Sequence, residues 1–145
     1  MSARNVVVFM TDGHRKDLLG CYGNDLLTTP AIDDFADSGV RFERAFGTHS
    51  VCMPTRASVY TGRYPHVHGV WANGCRLSES EVTMPQVLAA AGWATGAAGK
   101  IHHEPQQAYD GYVPDVQGAY YGFDEVHMSE NRLGEEYLDW IDEEH

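Results

Sequence analysis

Apolar and polar positions along the 145-residue chain alternate between short unbroken apolar runs and stretches punctuated at helical spacing. Residues 5–10 contain the run Val6-Val7-Val8-Phe9-Met10, as expected of a parallel strand buried on both faces. Thr29-Pro30 supplies a helix start, and the segment through Ser38 closes on Gly39. Residues 40–46 read as a second strand. Pro54 suits the first turn of a helix, where its missing N–H would have no intrahelical partner, and Gly62 suits a left-handed cap at the other end. Residues 54–61 are therefore predicted as a short helix, with Cys52 just ahead of its N-terminus. Residues 84–91 form another helical stretch, stopped by Gly92, and residues 93–98 a third strand. Residues 106–118 are loop-like, and residues 120–126 a short extended piece. Residues 130–143 show helical periodicity, with Leu133, Tyr137, Trp140 and Ile141 on one face. Strands alternating with helices predict an α/β fold, with a mainly parallel sheet flanked by helices.

Composition narrows the class. The chain is long enough for one ordinary domain with a real core, and 43% hydrophobic residues place it among globular proteins. No apolar run approaches the ~20 residues that span a bilayer, so no membrane partner is expected. The N-terminal run is too short for a signal-peptide core and lacks an A-x-A-like exit, so a cytoplasmic location is expected. Cys21, Cys52 and Cys75 make neither a disulfide framework nor a C-x-x-C pair. The net charge of −11 makes nucleic acid a poor partner, because phosphate neutralisation needs clustered Lys and Arg. Lysine occurs only at positions 16 and 100, which draws attention to Lys100.

The decisive pattern is Cys52-Met53-Pro54-Thr55-Arg56 followed by Thr61-Gly62-Arg63. Six fixed residues and one Ser/Thr choice fall within twelve positions, a chance match on the order of one in 10^8 or rarer at average usage. A free Cys is usually a small buried hydrophobe, but Pro two residues later and Arg four later argue against that here. A helix starting at this point gathers unpaired N–H groups and the positive dipole end, which favour an anion. Arg56 lies about one helical turn beyond Cys52, within reach of that residue if helical geometry extends back.

The pattern C-x-P-[S/T]-R with a downstream T-G-R resembles the signature of the type I sulfatases, formylglycine-dependent members of the alkaline-phosphatase-like superfamily. Two further blocks resemble the family. Thr11-Asp12-Gly13-His14-Arg15-Lys16-Asp17, leading into Leu19-Gly20-Cys21-Tyr22-Gly23, is similar to its N-terminal block, and places Asp12 just beyond the first strand as a metal aspartate. Many members carry a second Asp or an amide residue where this chain has Gly13, which leaves the implied site short of oxygen ligands. Gly99-Lys100-Ile101-His102, preceded by Thr95-Gly96, resembles the second signature. In extended backbone Lys100 and His102 would share a face, with His103 turned the other way and Glu104 without a role. His49, His66 and His68 flank the Cys52 helix, and sequence does not separate pocket from surface for them.

The resemblance covers residues 5–104, with Tyr121-Gly122-Phe123-Asp124 as an outlying match. It implies that residues 1–145 are the N-terminal part of a single catalytic domain, incomplete and inactive on its own, with further ligands downstream. It also implies a maturase that oxidises Cys52 to formylglycine, and a divalent cation, Ca²⁺ with Mg²⁺ or Mn²⁺ as alternatives, held in part by Asp12 and modified Cys52. The hydrated aldehyde would attack the sulfur of a small-molecule or saccharide sulfate ester through one hydroxyl and expel the alcohol. Loss of a proton from the second hydroxyl then regenerates the aldehyde and releases sulfate. Arg56 and Lys100 would stabilise developing charge, and His102 would assist proton transfer. Two other readings stay open: a phosphonate or phosphate ester hydrolase of the same superfamily, and a catalytically silent binding module.

Overall fold

The structure is a computed structural model that describes residues 5–105, 120–129 and 141–143. It divides into two compact units, Met1–Phe46 and Gly47–His145.

The first unit contains two short 3-10 turns, Lys16–Leu18 and Gly20–Tyr22, and helix α1, Pro30–Ser38. Pro30 opens α1 after Thr29, where a missing N–H does no harm, and Gly39 follows the last turn. Polar contacts hold the unit together. Gly20 N–H donates to Thr29 Oγ1 at 2.9 Å, Cys21 N–H to Asp33 Oδ1 at 2.6 Å, and Tyr22 Oη–H to the Phe42 carbonyl at 2.8 Å. Lys16 and Arg41 both lie over the Tyr22 ring, 4.5 and 5.3 Å from its centre.

The strands expected over residues 5–10 and 40–46 are not formed. Val7 is 79% and Phe9 95% exposed, so the apolar run lies open instead of buried. A parallel strand exists only through a neighbouring ladder, and no described residue of this unit pairs with either segment. An apolar run records a tendency to be covered; it does not supply the partner.

The second unit is built on helices α2 (Cys52–Thr61), α3 (Pro65–His68) and α4 (Met84–Ala90) and strands β1 (Gly96–Gly99) and β2 (Glu125–Met128). The strands pair in parallel, Gly96 opposite Glu125 through Gly99 opposite Met128. The fold class is thus the expected α/β arrangement with a parallel sheet and helices. Met53 and Ala57, one turn apart on α2, pack with Leu77, Ile101, Tyr121 and Phe123 into the core.

Helix α4 carries a capping box. Thr83 N–H donates to Gln86 Oε1 at 2.8 Å, and Gln86 N–H returns to Thr83 Oγ1 at 3.5 Å. Gly122 lies against this turn, and a Cβ there would come within 2.3 Å of Gln86 N, so only glycine admits the approach. Of the helix expected over 130–143, only residues 141–143 are described, and these are helical. Leu133, Tyr137 and Trp140, like the loop-like stretch 106–118, lie outside the described residues.

Candidate active site

Helix α2 begins two residues earlier than its proline suggests, with Cys52 as its first helical residue and Pro54 as its third. Val51 precedes it in extended conformation and has no side-chain oxygen to cap the turn. Capping comes from outside the helix. Val51 N–H donates to His49 Nδ1 at 3.2 Å, and Thr55 Oγ1–H to the His49 carbonyl at 2.8 Å. Met53 N–H donates to Asn73 Oδ1 at 3.1 Å, and the same oxygen lies 3.5 Å from Cys52 Sγ. Pro54 has no donor to satisfy. The far end closes at Gly62 with φ +67°, the left-handed cap that glycine adopts without strain.

Arg56 is only 5% exposed. Its Nη1 donates to the Lys100 carbonyl at 2.5 Å, which ties the first motif to the third; it makes no hydrogen bond to Cys52. A buried guanidinium is stable only when it is paired or hydrogen-bonded, so this carbonyl is a principal anchor of the charge. Lys100 itself is half-buried.

The third motif departs from regular extension. β1 ends at Gly99 with φ +90°, and His102 also has positive φ, at +56°. Two left-handed residues in four positions break the alternation that would have put Lys100 and His102 on one face with His103 opposite. Both imidazoles are buried instead, His102 at 2% and His103 at 1% exposure. Histidine is among the residue types tolerated in the left-handed region, though at an energetic cost.

His103 is sandwiched edge-on between Tyr60 and Tyr121, with centroid distances of 4.7 and 4.8 Å. Neither of its ring nitrogens has a hydrogen-bond partner. Burial, and then the nearby Arg56 charge, hold its pKa down to about 3, so the ring is neutral at ordinary pH. Its carbonyl accepts from Leu77 N–H at 2.9 Å, and the Leu77 carbonyl accepts from Tyr121 Oη–H at 2.6 Å. Glu104, which the sequence left without a role, pairs with Arg76 at 2.9 Å.

The flanking histidines separate cleanly. His49 serves the start of α2, and exposed His66 stacks on Tyr64. His68 is buried. It accepts from Val70 N–H at Nδ1, so Nε2 carries the proton and donates to Ser58 Oγ at 3.0 Å. Burial lowers the pKa of His68. Asn73 was not anticipated. Its Asn-Gly pair reads as a turn, and no spacing rule connects a turn to a cysteine 21 residues earlier.

Asp12 is exposed in a bend of the first unit, with no strand before it. Gly13 has φ +62°, a conformation that disfavours replacement by a residue with a Cβ. Among the described residues, no group of three or more His, Cys, Asp or Glu side chains gathers to hold a metal. The residues described therefore do not fit a complete site for a cation that takes six to eight oxygens.

The sulfatase family model matches residues 4–144. The chain belongs to the sulfatase family. An N-acetylglucosamine-6-O-sulfatase of Bacteroides thetaiotaomicron is 35% identical over 104 residues, covering 70% of this chain and 19% of that protein. This sulfatase chain thus spans about a fifth of the length of that relative. Among solved structures, a phosphonate monoester hydrolase of Agrobacterium radiobacter superposes with TM-score 0.71 at 25% identity, over 88% of this chain and 26% of that one. A protein solved in complex with its substrate D-glucosamine-2-N,6-O-disulfate has TM-score 0.67 and 32% identity, over 81% of this chain and 21% of that one. Among the described residues of the sulfatase chain, no helix is long and apolar enough to cross a membrane.

Proposed function

We propose that the chain contributes the nucleophile segment of a sulfuric ester hydrolase in which Cys52 is matured to formylglycine. The observation that carries this reading is the placement of Cys52 as the first residue of α2, with Arg56 one turn on and bonded to the backbone of the Lys100 motif. Formylglycine supplies a hydroxyl nucleophile when hydrated and a leaving route for sulfate afterwards. Arg56 lies one helical turn beyond that position with its charge anchored on the Lys100 carbonyl, and Lys100 and His102 are the candidate cation and proton-transfer group. A sulfated saccharide is the substrate class, on the strength of the glucosamine-sulfate relatives. A divalent cation, Ca²⁺ by family resemblance, is the cofactor this reading calls for, and Asp12 is a candidate donor to it.

The test is mass spectrometry of the peptide containing Met53, Pro54, Thr55 and Arg56 after expression with a formylglycine-generating maturase. A hydrazide-reactive aldehyde at position 52 is expected. A peptide that remains wholly thiol under those conditions overturns the reading and favours a silent binding module.

A second reading, hydrolysis of phosphonate or phosphate monoesters, is favoured by the likeness to the phosphonate monoester hydrolase, and Gly13, in place of an Asp or amide residue, leaves the metal site atypical. The ratio of rates on aryl sulfate and phenylphosphonate esters separates the two.

A further inference from the structure

The acceptor that faces Cys52 is fixed in kind as well as in place. Asn73 Oδ1 receives Met53 N–H, and a backbone N–H can only donate, so the amide must present its oxygen to the start of α2. Met53 is fully buried, and its Sδ accepts from Gly74 N–H at 3.1 Å, so residues 73 and 74 are seated on an immobile side chain. A carbonyl oxygen has two lone pairs. One takes Met53 N–H, and the other is left for residue 52, whose Sγ at 3.5 Å stands where an oxygen of the matured residue would stand.

Resting on the formylglycine reading above, we propose that Asn73 is a positioning residue that holds residue 52 in its hydrated form. An aldehyde oxygen is an acceptor only, and facing Asn73 Oδ1 it would set two acceptors against each other. Hydration relieves this. Water adds across the C=O bond, its oxygen bonding to carbon and one of its protons passing to the former carbonyl oxygen, so that two O–H donors result. One of them can donate to Asn73 Oδ1. The same contact sets which way that hydroxyl turns, leaving the other free to face a substrate. A residue that merely capped α2 would hold the helix end and leave the aldehyde-to-diol ratio alone.

The ratio can be read directly. Protein matured with β-¹³C-cysteine gives separate ¹³C signals for the aldehyde and diol carbons of residue 52, independently of turnover. Asn73→Leu keeps the size of the side chain and removes the acceptor. Asn73→Asp keeps the acceptor, and residues 52–56, the maturation motif, are unchanged in both. Asn73→Leu is expected to raise the aldehyde-to-diol ratio about fivefold, the worth of one ordinary net hydrogen bond. Its kcat should fall while KM stays within about twofold, as for an interaction made beyond ground-state binding. Asn73→Asp should keep the wild-type ratio. The proposal is overturned if Asn73→Leu lowers the melting temperature but leaves the ratio unmoved, or if Asp and Leu shift it alike. Should Asn73→Leu fail to fold, Asn73→Ala carries the same expectation. A wild-type protein with only thiol at Cys52 overturns the functional reading and this proposal together, whereas aldehyde with an unmoved ratio overturns this proposal alone.

Discussion

Replacing His103 by phenylalanine should make the protein less sensitive to acid while leaving it nearly as stable at neutral pH. The imidazole is 1% exposed, and its ring nitrogens make no hydrogen bond. A phenyl ring loses nothing polar there and keeps both edge-on contacts, with Tyr60 and Tyr121, each worth about 0.5–1.5 kcal/mol. Burial and the Arg56 charge lower the pKa of His103 from 6.5 to about 3, so the native state binds no proton there across the mildly acidic range. The unfolded chain does bind one below 6.5. Between those limits the unfolded state holds more protons, so stability is full above pH 6.5 and is lost as pH falls. From this single group the loss between pH 7 and pH 5 is about 2 kcal/mol, and about 3 kcal/mol by pH 4. For a domain of ordinary stability that is a large fraction of the total. Urea unfolding of wild type and His103→Phe at pH 5, 6, 7 and 8 isolates the term, because the other titrating groups cancel in the difference. The variant should match wild type within about 1 kcal/mol at pH 7 and exceed it by about 2 kcal/mol at pH 5. A variant that keeps the whole wild-type slope, or loses more than about 3 kcal/mol at pH 7, would refute the reasoning, since the ring nitrogens would then be making interactions.

Two further outcomes test other parts of the structure. Thr83→Val removes a helix cap and leaves the buried Tyr121 carbonyl without the Thr83 hydroxyl, so it should cost about 2–3 kcal/mol in denaturant titration, against less than about 1 kcal/mol for Thr83→Ser. In the full-length enzyme, Lys100→Ala should lower kcat/KM on a sulfate ester by at least about a hundredfold while shifting stability by less than about 0.5 kcal/mol, with Lys100→Arg a poor substitute; near-normal kcat/KM would remove Lys100 from the site.

What the sequence made legible follows the range of the forces involved. Helix α1 and the Gly62 cap were readable because a proline, a glycine and their immediate neighbours decide them. Cys52, Arg56 and Lys100 could be named as candidates because two motif blocks carry them, and the structure adds the bond from Arg56 to the Lys100 carbonyl. The segments at 5–10 and 40–46 were not readable, since the same apolar pattern describes a strand and an uncovered run, and only a neighbouring ladder distinguishes them. The burial of both His102 and His103 was missed for a different reason. Nothing in Lys-Ile-His-His announces a left-handed backbone at a residue with a side chain. Asn73 escaped because its role depends on a contact between a turn and a helix start, which local pattern does not encode.

The bond from Arg56 to the Lys100 carbonyl spans 44 residues, and it also orders events in time. At synthesis rates of about 5–20 residues per second, roughly 2–9 s separate the emergence of Arg56 from that of the residue that anchors it. Throughout that interval Arg56 lacks the carbonyl that anchors its charge in the folded protein. Chemistry that needs residues 52–56 as a peptide has those seconds in which to act; chemistry that needs them as a site begins only after.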